Sequence, residues 1–98
     1  MTPARQAWAD AMRLADYPDA YLSAVGYASR FALLRSTEKN RTKVAEYRGR
    51  EKAYAHMAAI LLMCARGLSE SEAEVRVRRH RKEWDQAVAE DDAWESET

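Results

Sequence analysis

The sequence predicts an all-α protein, a compact bundle of about four helices over residues 3–16, 19–36, 38–66 and 70–92. Three observations lead there. Alanine occurs 19 times, arginine 12 and glutamate 10, all good helix formers, against three glycines and two prolines. Apolar residues recur at helical spacing, and the few β-branched residues never alternate with polar ones as strands require. Local stop and start signals then divide the chain into helices of ordinary length. Ninety-eight residues suffice for one domain with a modest core. The expected layout is a single helical domain over residues 1–92 and an acidic, frayed tail over residues 93–98.

The first helix begins at Pro3, where the missing N–H is harmless, with Thr2 as N-cap. Ala4, Trp8, Ala11, Met12 and Ala15 mark its buried face. Asp16-Tyr17-Pro18-Asp19 ends it, because the residue before a proline is pushed out of the helical region. In the second helix Tyr21, Leu22, Val25, Ala28, Phe31 and Ala32 recur at helical spacing. Ala20, Ala24, Ala28 and Ala32 form a ridge of small residues that lets another helix come close. Gly26 costs this helix about 1 kcal/mol relative to alanine. Residues 36–40 form the joint to the third helix, unless they are a polar turn within one long helix.

The third helix is charged in its first half and apolar all round over residues 57–65. A helix without a polar face is surrounded. This stretch is therefore expected at the centre of the fold or in a subunit interface, with Cys64 buried in it as a small hydrophobe. Gly67 ends the helix as its C′ residue. Ser69 and Glu72 form a capping box for the fourth helix, with Leu68 and Ala73 placed for a hydrophobic staple. On that helix Ala73, Val77, His80, Trp84, Ala87 and Val88 share one face, and Trp94 would continue it.

Charge is balanced in total, sixteen bases against sixteen acids, but it is sorted along the chain. No base follows Lys82, while Glu83, Asp85, Glu90, Asp91, Asp92, Glu95 and Glu97 do. Sorting of this kind reports on partners. The dense basic run Arg76-Val77-Arg78-Arg79-His80-Arg81-Lys82 has acids four residues away. The pairs are Glu72 with Arg76, Glu74 with Arg78, Arg79 with Glu83 and Arg81 with Asp85, each worth about 0.2–0.5 kcal/mol. Lys39, Arg41, Lys43, Arg48, Arg50 and Lys52 face fewer acids, and Tyr47 and Tyr54 lie between their two flanks. That pattern suits nucleic acid, or a solubilising surface if the tyrosines pack inward. The acidic stretch Glu83, Asp85, Glu90, Asp91, Asp92 and Glu95, with Trp94 among them, reads as a face for a protein partner, since aromatic anchors carry much of the affinity at interfaces. A mask over the chain's own basic surface and a solubilising terminus are the alternatives.

Residues 57–82 resemble a helix-turn-helix: a helix, the turn Ala65-Arg66-Gly67-Leu68-Ser69, and an arginine-rich helix. The pattern departs at Met63, where a small residue is usual, and at Arg76, where an apolar one is. The resemblance implies DNA or RNA contact through Arg78, Arg79 and Lys82, joined by the bases of the third helix.

His56 and His80 stand alone, a single cysteine cannot make a zinc knuckle, and no glycine-rich phosphate loop is present. The expectation is a protein that is not an enzyme and needs no metal or cofactor. Residues 57–65 are far short of the roughly 20 apolar residues a membrane span needs, and no apolar segment follows the first five residues. A cytoplasmic protein without membrane contact is expected, and its alanine and arginine excess fits a GC-rich bacterial or phage gene. The function expected is that of a non-enzymatic helical regulator, an inhibitor or adaptor of phage or mobile-element type. It would bind another protein, in the first place one of a nucleic-acid-handling complex, through charged helix faces. The alternative is a small DNA- or RNA-binding regulator that uses residues 57–82. Homodimerisation through the third helix is compatible with either.

Overall fold

A computed structural model describes residues 3–97, the last of these by its backbone alone. Four helices follow in order, α1 (Pro3–Leu14), α2 (Asp19–Thr37), α3 (Arg41–Arg66) and α4 (Glu70–Glu97), with no strand among the described residues. The all-α class and the helix count are those the sequence predicts.

Each boundary has a local cause. The expected cap Thr2 lies outside the described residues. At the end of α1, Tyr17 N donates to Met12 O and Asp16 N to Arg13 O, both at 3.0 Å. This paired closure needs a left-handed residue, and Asp16 takes that role at φ 64°. The joint between α2 and α3 is a true break. Glu38 Oε1 accepts the amides of Lys39 and Asn40, each at 3.0 Å. Asn40 then caps α3 by accepting the amides of Thr42 at 3.0 Å and Lys43 at 3.2 Å. That cap moves the start of α3 from the expected residue 38 to Arg41. Gly67 closes α3 at φ 64°, its N–H donating to Met63 O at 3.0 Å. Both halves of the Ser69/Glu72 capping box are made, at 3.2 and 3.3 Å. The fourth helix continues past the expected end at 92 as far as Glu97.

The core gathers on α2. Tyr21, Val25 and Leu62 are fully buried, joined by Ala24, Ala28, Ala58, Ala73 and Val77. Alanine at so many contact positions lets the helices approach closely but buries little apolar area per residue. The apolar half of α3 is not the centre that its sequence suggests. Ala58, Ala59 and Leu62 are buried, whereas Met57 is 50% and Ile60 44% exposed and Cys64 also faces solvent. The cause is topological: α3 has α2 and α4 on one side, and among the described residues no element packs on the other. Of the alanine ridge on α2, Ala24 and Ala28 are buried, and Ala20 lies at the surface.

Along α4, Ala73, Val77, His80, Trp84, Ala87 and Asp91 point inward at alternating steps of four and three. Trp84 meets Trp8 of α1 edge to face at 5.1 Å. The result is a slab of 40 × 36 × 18 Å. Its accessible surface of 6542 Å² exceeds the roughly 5700 Å² that a monomer of this mass exposes on average. Gly26 lies beneath Trp84, where an added Cβ would stand 3.7 Å from Cζ2, an ordinary contact distance. Gly26→Ala is therefore expected to stabilise the fold by about 0.5–1 kcal/mol through helix propensity, read as a rise in the urea midpoint at unchanged slope.

Candidate functional site

The acidic end of α4 divides into one structural carboxylate and several solvent-facing ones. Asp91, placed by the sequence on the partner face, is 1% exposed. Four residues after Ala87, it falls on the inward side of α4 and meets the first turn of α1. There its carboxylate accepts Ala4 N at 2.8 Å, Arg5 N at 3.2 Å and Arg5 Nε at 2.9 Å. It therefore does for α1 what an N-cap side chain does, from the far end of the chain. Glu83, Asp85, Glu90, Asp92 and Glu95 remain at the surface, and Trp94 is 53% exposed among them.

The bases divide as well. Arg48 and Lys52 line a groove between α3 and α4 together with Arg35, Glu51, Ala55 and Arg81. Glu51 holds the centre of that groove. Arg35 donates from Nε to its Oε1 at 3.0 Å, with Nη2 at ion-pair distance from the same oxygen, and Arg81 Nη2 donates to Oε2 at 2.8 Å. Burial raises the Glu51 carboxyl, but the hydrogen bonds from Arg81 and Arg35 outweigh it and hold the group below the ordinary glutamate range. Arg50, on another side of α3, pairs with Glu46 at 2.7 Å and lies 5.5 Å from the centre of the Phe31 ring. Lys39, Arg41 and Lys43 are exposed at the start of α3.

Tyr47 and Tyr54 do not stand open between basic flanks. Tyr54 stacks on Tyr27 at 5.1 Å and on Phe31 at 5.8 Å, and Tyr47 meets Phe31 at 6.0 Å. These rings cement α2 to α3.

Arg78, Arg79 and Lys82 are exposed on α4. None of the four ion pairs expected along that helix forms among the described residues. Glu72 reaches back to Ser69 instead, Arg76 donates to Tyr17 Oη at 3.4 Å, and Arg81 crosses to Glu51. The arginine run is thus less neutralised than spacing alone implies. The helix-turn-helix resemblance does not extend to the geometry. Glu51 lies about 22 Å before the end of α3 and Arg81 about 17 Å after the start of α4. Helices crossing near a right angle would hold those points roughly 28 Å apart, beyond the reach of the two side chains. Their contact at 2.8 Å requires α3 and α4 to fold back as an antiparallel hairpin.

The sequence places His80 on the apolar face, and it is buried there. Tyr21 Oη lies 2.6 Å from its Nδ1, and Tyr17 packs edge-on against the imidazole at 4.9 Å. Burial, then the neighbouring Tyr17, raises the Tyr21 hydroxyl far above the ordinary tyrosine value. Burial lowers His80 to about 4, and the guanidinium groups of Arg79, Arg76 and Arg66 add to the effect. Near neutrality the tyrosine therefore donates, Nδ1 accepts, and the imidazole proton sits on Nε2. Arg66 fastens the same corner: its Nη2 donates to Ala15 O, and its guanidinium lies 4.0 Å from the centre of the Tyr17 ring.

No group of three or more histidine, cysteine or acidic side chains is placed to hold a metal among the described residues, and none of their helices is long and apolar enough to cross a membrane. No family model, curated protein or solved structure matches the chain.

Proposed function

We propose that the chain is a non-enzymatic helical interaction protein that binds another protein through the acidic outer face of α4. One observation carries this reading: the acids are placed against the helix dipole. The C-terminal end of a helix is its negative pole, where bases stabilise and acids oppose the field by about 0.3–1 kcal/mol each. The last turn of α4 contains no base, and Glu90, Asp92 and Glu95 crowd its closing turns. A helix shaped by stability alone would carry the opposite charges. Trp94, half-exposed among those acids, supplies an aromatic anchor of the kind that dominates interface energetics. A cationic groove on a nucleic-acid-handling protein is the partner surface this chemistry fits, which makes the role that of an inhibitor or adaptor. Pairing of two copies through the outer side of α3 is compatible with it.

Nucleic acid is the second reading, and a parallel observation favours it. The first turn of α3 contains no acid and begins with Arg41 and Lys43, so bases sit at the positive pole of that helix. One recovery experiment separates the readings. The full chain is used as bait against lysate beside a Glu90→Gln/Asp92→Asn/Glu95→Gln variant, in which Asp91 is kept because it is structural. The expected result is a protein partner retained by the wild type after nuclease treatment and reduced about tenfold or more with the variant. A gap of that size corresponds to about 1.4 kcal/mol of binding. Equal recovery removes the acidic face as the binding element, and recovery abolished by nuclease transfers the function to the bases.

A further inference from the structure

The groove between α3 and α4 has a chemistry that the acidic face does not explain. It is a shallow, open depression of about 440 Å³, suited to a compact polar ligand rather than to one that needs burial. Four cations line it around a single carboxylate, so positive charge is in excess by three. Two of the cations are fixed in place. Glu51, its side chain only 15% exposed, holds Arg35 from α2 and Arg81 from α4 by its two oxygens. Each guanidinium carries five N–H donors, and Glu51 takes one from Arg35 and one from Arg81. Among the described residues the other donors meet no protein acceptor. Arg48 and Lys52, one helical turn apart on α3, complete the rim, and neither has an acid within ion-pair distance among the described residues. Pinning two forked donors with a central carboxylate while leaving two exposed cations at the edge is more than joining three helices requires.

We infer that this groove is a binding site for a small ligand bearing a multiply charged phosphate group, a pyrophosphate or the phosphate chain of a nucleotide. Charge count selects the class: a lone carboxylate would leave most of the excess unanswered, whereas a pyrophosphate matches it. Planar guanidinium groups suit phosphate oxygens because they can bind two at once. Nucleic acid fits less well, since phosphodiesters carry one charge each and single strands are held by an extended track with stacking aromatics. Ala55 is the one apolar residue of the lining, and the nearby rings of Phe31, Tyr47 and Tyr54 are spent on one another. With no aromatic to stack on a base, the site reads the phosphates and ignores the base.

Calorimetric titration of the full chain with inorganic pyrophosphate at low ionic strength tests this. Binding is expected to weaken about tenfold or more in Arg48→Ala/Lys52→Ala, since each lost charge-assisted contact to phosphate is worth more than an ordinary hydrogen bond. Those two side chains are exposed and hold no helix, so the urea midpoint of the variant should stay where it is. Adenosine and cytidine triphosphates should bind alike. No heat at millimolar pyrophosphate, equal binding by wild type and variant, or binding of a single-stranded oligonucleotide without binding of pyrophosphate would each overturn the inference.

Discussion

Replacing Asp91 by alanine is expected to lower the unfolding free energy by about 3 kcal/mol, a large share of the 5–15 kcal/mol typical of a domain. The carboxylate is buried and accepts hydrogen bonds from Ala4 N, Arg5 N and Arg5 Nε in the first turn of α1. Removing one partner of a buried ion pair costs about 3–5 kcal/mol, and losing a helix cap alone about 1 kcal/mol. Arg5 keeps partial access to water, with 30% of its side chain exposed, which sets the expectation at the lower end. Asp91→Asn retains one carbonyl acceptor and should lose about half as much. The adjacent Glu90→Gln and Asp92→Asn remove the same charge from exposed positions. They should leave the unfolding free energy unchanged or raise it by a few tenths of a kcal/mol, because an acid is withdrawn from the negative pole of α4. Equal losses at 90, 91 and 92 would contradict the capping role assigned to Asp91.

Acidification is expected to destabilise the fold well above the pH at which carboxylates protonate. His80 titrates near 4 in the folded protein and near 6.5 when unfolded. Between those values the unfolded chain binds the extra proton, so stability falls as pH drops through the window and is unaffected above it. Over the whole window the loss is on the order of 2–3 kcal/mol. Protonation at Nδ1 also takes away the acceptor of the Tyr21 hydroxyl. Glu51 adds to the loss only lower down, because its folded pKa lies below the ordinary glutamate value of 4.5. Urea melts followed by tryptophan fluorescence should show a slope between pH 6.5 and 5 in the wild type. His80→Gln, which keeps an acceptor and cannot titrate, should abolish it. A slope of the same size in that variant would place the titrating group elsewhere.

Features encoded within a few residues of one another were legible in the sequence. Gly67 and the Ser69/Glu72 box act as their spacing says, and Tyr21, Val25, Val77 and His80 are buried where helical periodicity puts them. Features that depend on which element lies beside which were not. The apolar run of α3 shows composition but not that one of its sides has no neighbour. The arginines of α4 had acids at the right spacing, yet Arg76 and Arg81 found partners on other elements. Asn40, a strong cap ahead of a basic first turn, is a local signal of the same kind, and it sets the start of α3 at Arg41 rather than at 38. Asp91 carried a signal too. An acid four residues after Ala87 continues the inward stripe of α4, and an acid there needs a partner. What no local pattern could show is that the partner is the start of the chain. The basic groove is legible only in three dimensions, because Arg35, Glu51 and Arg81 come from three helices.

The contact between Asp91 and the amides of Ala4 and Arg5 also orders events in time. A chain emerging from the ribosome releases α1 well before residue 91. Until then the opening turn of α1 has water where its carboxylate cap will be, while α2, α3 and the first half of α4 can already assemble their shared core. The helix made earlier is thus locked later. Any process that holds α4 back, such as translation stalled before residue 91, should leave α1 open to proteases.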